Sequence, residues 1–265
     1  MRLGRTVFLL VFVFLSVGYA SAQQRRAPGQ AAGTGYGEFF RVEFQYRNWN
    51  AKHTTELEIG PGSTNISLGD DLNLPDERIN VFMGAVRITR ILRARGSYLK
   101  REYEGSATIR RDLTIGGVTF PALTDMDTAL TIEYTTIGAE VDLYSTREFI
   151  FSVVGDYTRF RADTAIRGSN GSAAALGRRE VALLTLGLKT KIYITPAAAI
   201  AFEASGMRKG GTGVLTNLDA TFFYNFNQHF AVSIGYENRY ARVDQPGRRE
   251  IFRLAGTYFG VAARF

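Results

Sequence analysis

Near Glu38 the chain changes from an irregular lead-in to strict alternation. In EFFRVEFQYRNW, Phe40, Val42, Phe44 and Tyr46 fall on one side, and Arg41, Glu43, Gln45 and Arg47 on the other. Successive side chains of a strand point to opposite faces, so this reads as a strand with one apolar and one charged face. The pattern then recurs along the chain. Phe82, Val86 and Ile88 oppose Arg87, and Leu92, Ala94 and Tyr98 oppose Arg93 and Arg95. Phe149, Phe151, Val153 and Tyr157 oppose Ser152 and Asp156, and Leu184, Leu186, Leu188 and Ile192 oppose Lys189 and Lys191. Phe202 alternates with Glu203, Leu218 and Phe222 with Asp219, and Ile234 and Tyr236 with Glu237 and Arg239. The last residues set Phe259, Val261, Ala263 and Phe265 against Arg264.

Ten candidate strands result. Short connectors near 89–91, 145–147, 195–196 and 227–228 alternate with longer ones at 50–78, 105–126, 162–178 and 241–248, with a short exception at 209–213. This predicts an all-β, up-and-down antiparallel barrel of about ten strands, or eight or twelve if one hairpin is misassigned. No segment has helical periodicity long enough for an α/β fold.

A soluble lipocalin-like barrel turns its apolar face inward, whereas a membrane barrel turns it to lipid and lines its lumen with polar groups. Two features favour the transmembrane β-barrel. Short turns alternate with longer loops, and aromatic residues collect near strand ends, at Phe149, Phe151, Tyr193, Tyr224, Phe226 and Phe230. One strand slips phase, with Leu130, Ile132 and Tyr134 even but Ile137, Ala139, Val141 and Leu143 odd. That predicts either a bulge near Thr135–Thr136 or a strand top rising clear of the membrane.

The N-terminus fits export. Arg2 and Arg5 precede an apolar run that is too short to span a bilayer, and Ala20 to Ala22 form a small-x-small cleavage site. Residues 1–22 are therefore expected to be a signal peptide, 23–37 a flexible periplasmic segment and 38–265 the barrel. Removing the signal takes the formal charge from +7 to +5, since only Arg2 and Arg5 are lost. The basic residues are scattered, which argues against a nucleic-acid partner. Cysteine is absent, so no disulfide framework or thiolate site exists.

With Phe259, Val261 and Phe265 alternating to a terminal Phe, the final strand resembles the assembly signal of bacterial outer-membrane barrels. The chain over 38–265 resembles small bacterial outer-membrane β-barrel proteins. DDLNLP, residues 70–75, is similar to a segment of uncharacterised outer-membrane barrel-domain members of that class. The resemblance implies residence in the outer membrane of a Gram-negative bacterium. It also implies contact with outer-membrane lipid and lipopolysaccharide, and recognition by the barrel-assembly machinery through the C-terminal strand. It implies no activity and no cofactor, and any extracellular ligand stays unknown.

With apolar residues facing lipid, the expected lumen charges are Arg41, Glu43, Arg47, Arg87, Arg93, Arg95, Glu133, Glu140, Asp142, Asp156, Lys189, Lys191, Glu203, Asp219, Glu237, Arg239 and Arg264. Their signs nearly balance. A barrel of this size is narrow enough for side chains to fill, which favours a closed lumen over a charge-lined pore. Catalytic motifs are thin. His53 and His229 are expected at opposite ends, and Asp70, Asp71, Asp125 and Asp127 lack an Asp-x-His partner. Metal-ligand clusters are also absent. The sequence therefore predicts a non-enzymatic structural or surface-interaction barrel working through its outer loops. A small porin-like diffusion channel is the alternative, and an outer-rim hydrolase the remote one.

Overall fold

The computed structural model describes residues 40–59, 66–115, 117–169, 173–210, 213–245 and 248–265. The expected signal peptide and the segment 23–37 lie outside them. Ten long strands form the wall: β1 (Val42–Ile59), β3 (Glu77–Arg87), β4 (Leu92–Thr108), β7 (Asp125–Ser145), β8 (Phe149–Gly168), β9 (Ala173–Tyr193), β10 (Ala198–Lys209), β11 (Gly213–Asn225), β12 (Phe230–Gln245) and β13 (Arg248–Arg264). Each pairs with its neighbour along the chain, and β13 closes the barrel on β1 from Glu43↔Arg264 to Ile59↔Arg248. Three short strands, β2 (Ile66–Ser67), β5 (Leu113–Ile115) and β6 (Val118–Phe120), and one helical turn, α1 (Leu68–Leu72), lie in the first two long connections.

At the turn end, one side-chain device recurs in all four tight turns. Thr89 Oγ1 accepts from Leu92 N (3.1 Å), Thr146 Oγ1 from Phe149 N (3.0 Å), Thr195 Oγ1 from Ala198 N (3.0 Å) and Asn227 Oδ1 from Phe230 N (2.8 Å). A hydroxyl or amide oxygen reaching three residues on supplies a side-chain acceptor for the N–H that closes the turn. The chain end joins this rim, where Val42 N donates to Phe265 O (2.9 Å).

The longer connectors are mostly strand. β1 runs to Ile59, β8 to Gly168 and β9 starts at Ala173, inside regions expected to be loop. Strand signals fade there because the outward face has become polar, not because pairing stops. No register shift occurs at Thr135–Thr136, and the one in this hairpin lies between Asp142 and Tyr144. The phase slip in β7 is a change of medium instead. Met126, Leu130, Ile132 and Tyr134 are buried inside the barrel, while Ile137 and Leu143 are exposed on its outside.

At roughly 3.4 Å per residue, the 21 residues of β7 extend about 70 Å. Tilted by about 40°, they rise about 50 Å, twice the roughly 25 Å apolar band of an outer-membrane barrel. The wall accordingly has two zones. Nearer the turns, exposed Phe44, Phe82, Ile137, Leu186, Phe202, Leu218, Ile234 and Phe259 make an apolar belt. Farther up, the outward positions are polar, including Lys52, Lys100, Glu102, Arg208 and Arg253. Apolar side chains exposed all round a closed barrel would be unstable in water, so the belt spans lipid.

Candidate functional site

Below the belt's upper edge, the lumen is held by charge. Arg93 binds Asp142 through Nη2 (2.7 and 2.6 Å) and approaches Glu140 (3.1 Å). Arg95 reaches Asp156 (2.9 Å) and Glu203 (2.7 and 2.6 Å), and Lys189 donates to Glu140 (2.7 Å). A second group joins Arg47 to Asp219 and to Glu237 (3.2 Å), with Arg239 on the other Glu237 oxygen (2.6 Å). Arg264 pairs with Glu43 and donates to Asn225 (2.6 Å). The register explains the first group. Arg93↔Glu140 and Asp142↔Ser152 are direct cross-strand partners, so alternation alone aims these groups together.

Four expected lumen charges sit elsewhere or contact other groups. Arg41 is exposed at the turn-end rim, one residue before β1 begins. Arg87 lies at the same rim, donating to Arg90 O (3.0 Å) with its guanidinium 5.4 Å from the Phe40 ring centroid. Lys191 stacks over Tyr193 (5.1 Å) and Phe223 (5.3 Å). Glu133 is a correction. It faces outward on β7 beside Arg161 (3.7 Å), because even-numbered β7 residues are the inward ones. Tyr193 is another, buried with Ile150 and Ala199 inside the barrel rather than in the outer girdle. Phe259, Val261 and Phe265 all face outward.

Above the charges the lumen turns apolar, which sequence reasoning missed. Trp49, Leu57, Ile79, Leu99, Tyr103, Leu130, Phe160 and Phe252 form one buried cluster. Rings of Tyr134, Phe160 and Phe252 follow each other at 4.7 and 4.9 Å. The signal was present: Val181 and Leu183 in β9, or Phe252 and Leu254 in β13, carry the apolar residues on the parity opposite to Leu186 and Phe259. At the boundary, the Arg239 guanidinium lies over Trp49 (5.8 Å) and Tyr134 (5.6 Å), and that of Arg47 over Tyr258 (4.2 Å).

The first two long connections fold down onto this core. Ser67 caps α1, its Oγ accepting from Asp70 N (3.3 Å), while its own N–H donates to Asp71 (3.0 Å). Asn73 ends the turn in the left-handed region (φ 50°). Leu68, Leu72 and Leu74 are thereby buried, and Leu113, Ile115 and Phe120 of the β5–β6 hairpin join them. Gly105 permits the fit: a Cβ there would lie 3.0 Å from Asn73 O and 3.1 Å from Leu74 Cα. DDLNLP is thus part of the plug, anchored by Leu72 and Leu74. Pro75 cannot continue the ladder, so β3 starts beyond it, and the Asp76 carboxylate accepts the His53 N–H (3.0 Å) in its place.

Candidate catalytic groups are kept apart. The His53 ring, above the belt, is buried against Tyr103 (4.9 Å), with Nδ1 3.2 Å from Asp76. Burial lowers its pKa, opposed by the Asp76 carboxylate. Asp125 and Asp127 face the other side of the wall, bonded to the hydroxyls of Thr108 (2.5 Å) and Ser106 (2.8 Å). Asp70 belongs to the α1 cap and Asp71 also pairs with Arg111 (3.0 Å). His229 lies at the turn end, its Nδ1 3.0 Å from Arg264 O. Among the described residues, no group of three or more His, Cys, Asp or Glu is placed to hold a metal.

Among the described residues, a lumen cavity of about 150 Å³ runs from Phe40 past Arg95 and Glu203 to Tyr134. At about 10–15 Å³ of such space per water, it has room for roughly ten waters.

No family model matches this chain, and no curated protein matches it in sequence. Its fold has relatives among solved structures. The outer membrane protease OmpT from Escherichia coli superposes with a TM-score of 0.56 at 8% identity, over 84% of this chain and 96% of that one. Ail, the attachment invasion locus protein of Yersinia pestis, gives 0.36 at 10%, over 84% and 99%. The Pseudomonas putida toluene transporter TodX gives 0.36 at 8%, over 90% and 95%. At these identities the likeness to OmpT is one of fold, and scores of 0.36 carry no argument. The fold is that of the outer-membrane β-barrels.

Proposed function

We propose that this protein is a sealed surface barrel of a Gram-negative outer membrane, exported by its N-terminal signal. Its outer end, rather than its lumen, carries the function. The observation behind this reading is the double closure. A salt-bridged lower lumen lies under an apolar plug of Trp49, Leu72, Phe120 and Phe160. An ion crossing it would have to break paired charges and then enter a dry core.

The outward faces of Phe259, Val261 and Phe265 on the last strand suit recognition by the barrel-assembly machinery. Arg208, Arg242 and Arg253, outward on β10, β12 and β13 above the belt, suit lipopolysaccharide phosphates. A non-enzymatic role is supported by the wall that separates His53 from Asp125 and Asp127.

Single-channel recording in a planar bilayer tests the proposal, using protein whose folding is checked by heat-modifiable gel migration. Folded, inserted protein should be silent. Reproducible conductance steps would overturn the sealed reading in favour of the narrow channel.

A further inference from the structure

The wall has one seam. β3 pairs with β1 along its length, from Val86↔Val42 to Glu77↔Ala51, but with β4 only from Arg87↔Arg93 to Val81↔Leu99. Above Lys100 the backbone of β4 continues to Thr108 bonded to β7 alone among the described residues, while the Arg101 side chain crosses to Glu77 of β3. On the facing side β1 is served by the Asp76 carboxylate and by β2 at Glu56 and Leu57. The plug loop meets the inner face of β4 at Gly105 without joining its ladder.

Alternation identifies the unpaired groups. Asp142 N donates to Ile91 O and Ile109 N to Thr124 O, so residues of odd number on this strand bond β7. Leu92 O instead accepts from Ile88 on the β3 side. The N–H and C=O groups of Glu102, Glu104, Ser106 and Thr108 therefore point into the seam, and their side chains are exposed outside. Glu77, Lys100, Arg101, Glu102 and Glu104 line a recess there.

The face beside that edge is acidic. Glu102 and Glu104 on β4 stand next to outward Asp125, Asp127 and Glu133 on β7. Lys100 bonds Glu102 (2.6 Å), Arg161 lies by Glu133 and Arg167 stands opposite Asp127 on β8, which leaves the negative excess at Glu104 and Asp125. Charged edges can simply deter pairing. Here acidic side chains outnumber basic ones on the upper outward faces of β4 and β7, above the lipid, so the edge favours a basic partner rather than excluding all of them.

We propose that the β4 edge from Glu102 to Thr108 takes up an extended segment of a partner protein as an added strand. The segment carries Lys or Arg at alternate positions. Residues opposite Glu102 and Glu104 would share their outward face, so basic side chains two apart meet both carboxylates. The inference does not depend on whether the barrel conducts.

The test is fluorescence anisotropy of the whole protein in detergent, with a labelled ten-residue alternating Lys–Thr peptide. Its partners are the same peptide N-methylated at every second residue and an alternating Glu–Thr peptide. Binding of the Lys peptide alone is expected, weakened at least tenfold by E102K/E104K. E104P should weaken it as much and leave the β7 ladder intact, because the N–H it removes points into the seam; gel migration checks that both variants fold. Equal binding of the N-methylated peptide, retention of binding by E104P, or no binding of the Lys peptide would each overturn the proposal.

Discussion

The lower and upper halves of this barrel obey the same alternation with opposite chemistry. In β7 the even-numbered residues from Met126 to Asp142 face inward, yet Glu140 and Asp142 line the lumen near the turns and Leu130 and Ile132 line it above. Outside, Ile137 is exposed at the lower level and Asp127 at the upper. Backbone pairing continues unbroken between the levels, from Thr108↔Asp125 to Leu92↔Val141. What changes is the solvent. Within lipid, apolar groups gain nothing by turning inward, and the lumen is where charges find partners. Above lipid, the hydrophobic effect returns and the same pleat is used as in a water-soluble barrel. A period of two therefore reports strand, and depth decides which face is apolar.

That contrast predicts different penalties for the same kind of damage. Phe160→Ala, in the upper core, should cost about 3–5 kcal/mol, because it removes a packed ring and leaves a cavity. Glu140→Ala, in the lower lumen, should cost a similar amount for a different reason. It leaves Lys189 without its carboxylate and Arg93 with Asp142 alone. Chemical unfolding in detergent measures both, and a double substitution Glu140→Leu with Lys189→Met separates them. Recovery of stability there would locate the loss in unpaired charge rather than in packing.

The wall provides the next comparison. Leu186→Arg, on the lipid face of β9, should cost about 2–4 kcal/mol in a bilayer. The same substitution at Thr131, outward but above the belt on β7, should change stability by less than about 0.5 kcal/mol. Equal penalties at both positions would mean that the belt does not end where the exposed residues turn polar.

Most of the lower half was legible from sequence. Alternation identified the strands, and balanced charges on one parity foretold pairs such as Arg93 with Asp142. The upper half was misread for physical reasons. Beyond about Asn48 and Lys100 the outward face loses its apolar residues, so strand tops such as Lys52–Ile59 and Asp163–Gly168 resemble loops. The plug was invisible because its anchors, Leu68, Leu72 and Leu74, stand close together among Asp, Gly and Asn, and only their burial unites them. The reversal itself was readable in β7 and β9, where apolar parity switches without a turn between. Glu133 shows the cost of ignoring it: assigned to the lumen because it alternates with apolar Ile132 and Tyr134, it lies outside, since those two are the inward residues.

The smallest effect concerns the junction between plug and wall. His53 is buried neutral, its pKa held below the usual value near 6.5 by burial, against the pull of Asp76. The unfolded chain therefore binds a proton, as pH falls through about 6.5, that the folded chain resists. The stability it contributes is full above that pH and is lost on acidification, by at most about 1.4 kcal/mol per pH unit until the folded value is reached. His53→Phe keeps the ring against Tyr103 and removes the titration, so the loss of stability between pH 7 and 5 should become shallower. Asp76→Asn should instead steepen it, because the carboxylate that favours the protonated ring is gone. If both variants follow the wild-type pH profile, His53 is not sealed beneath the plug, and the upper half of the barrel admits water that the closed reading excludes.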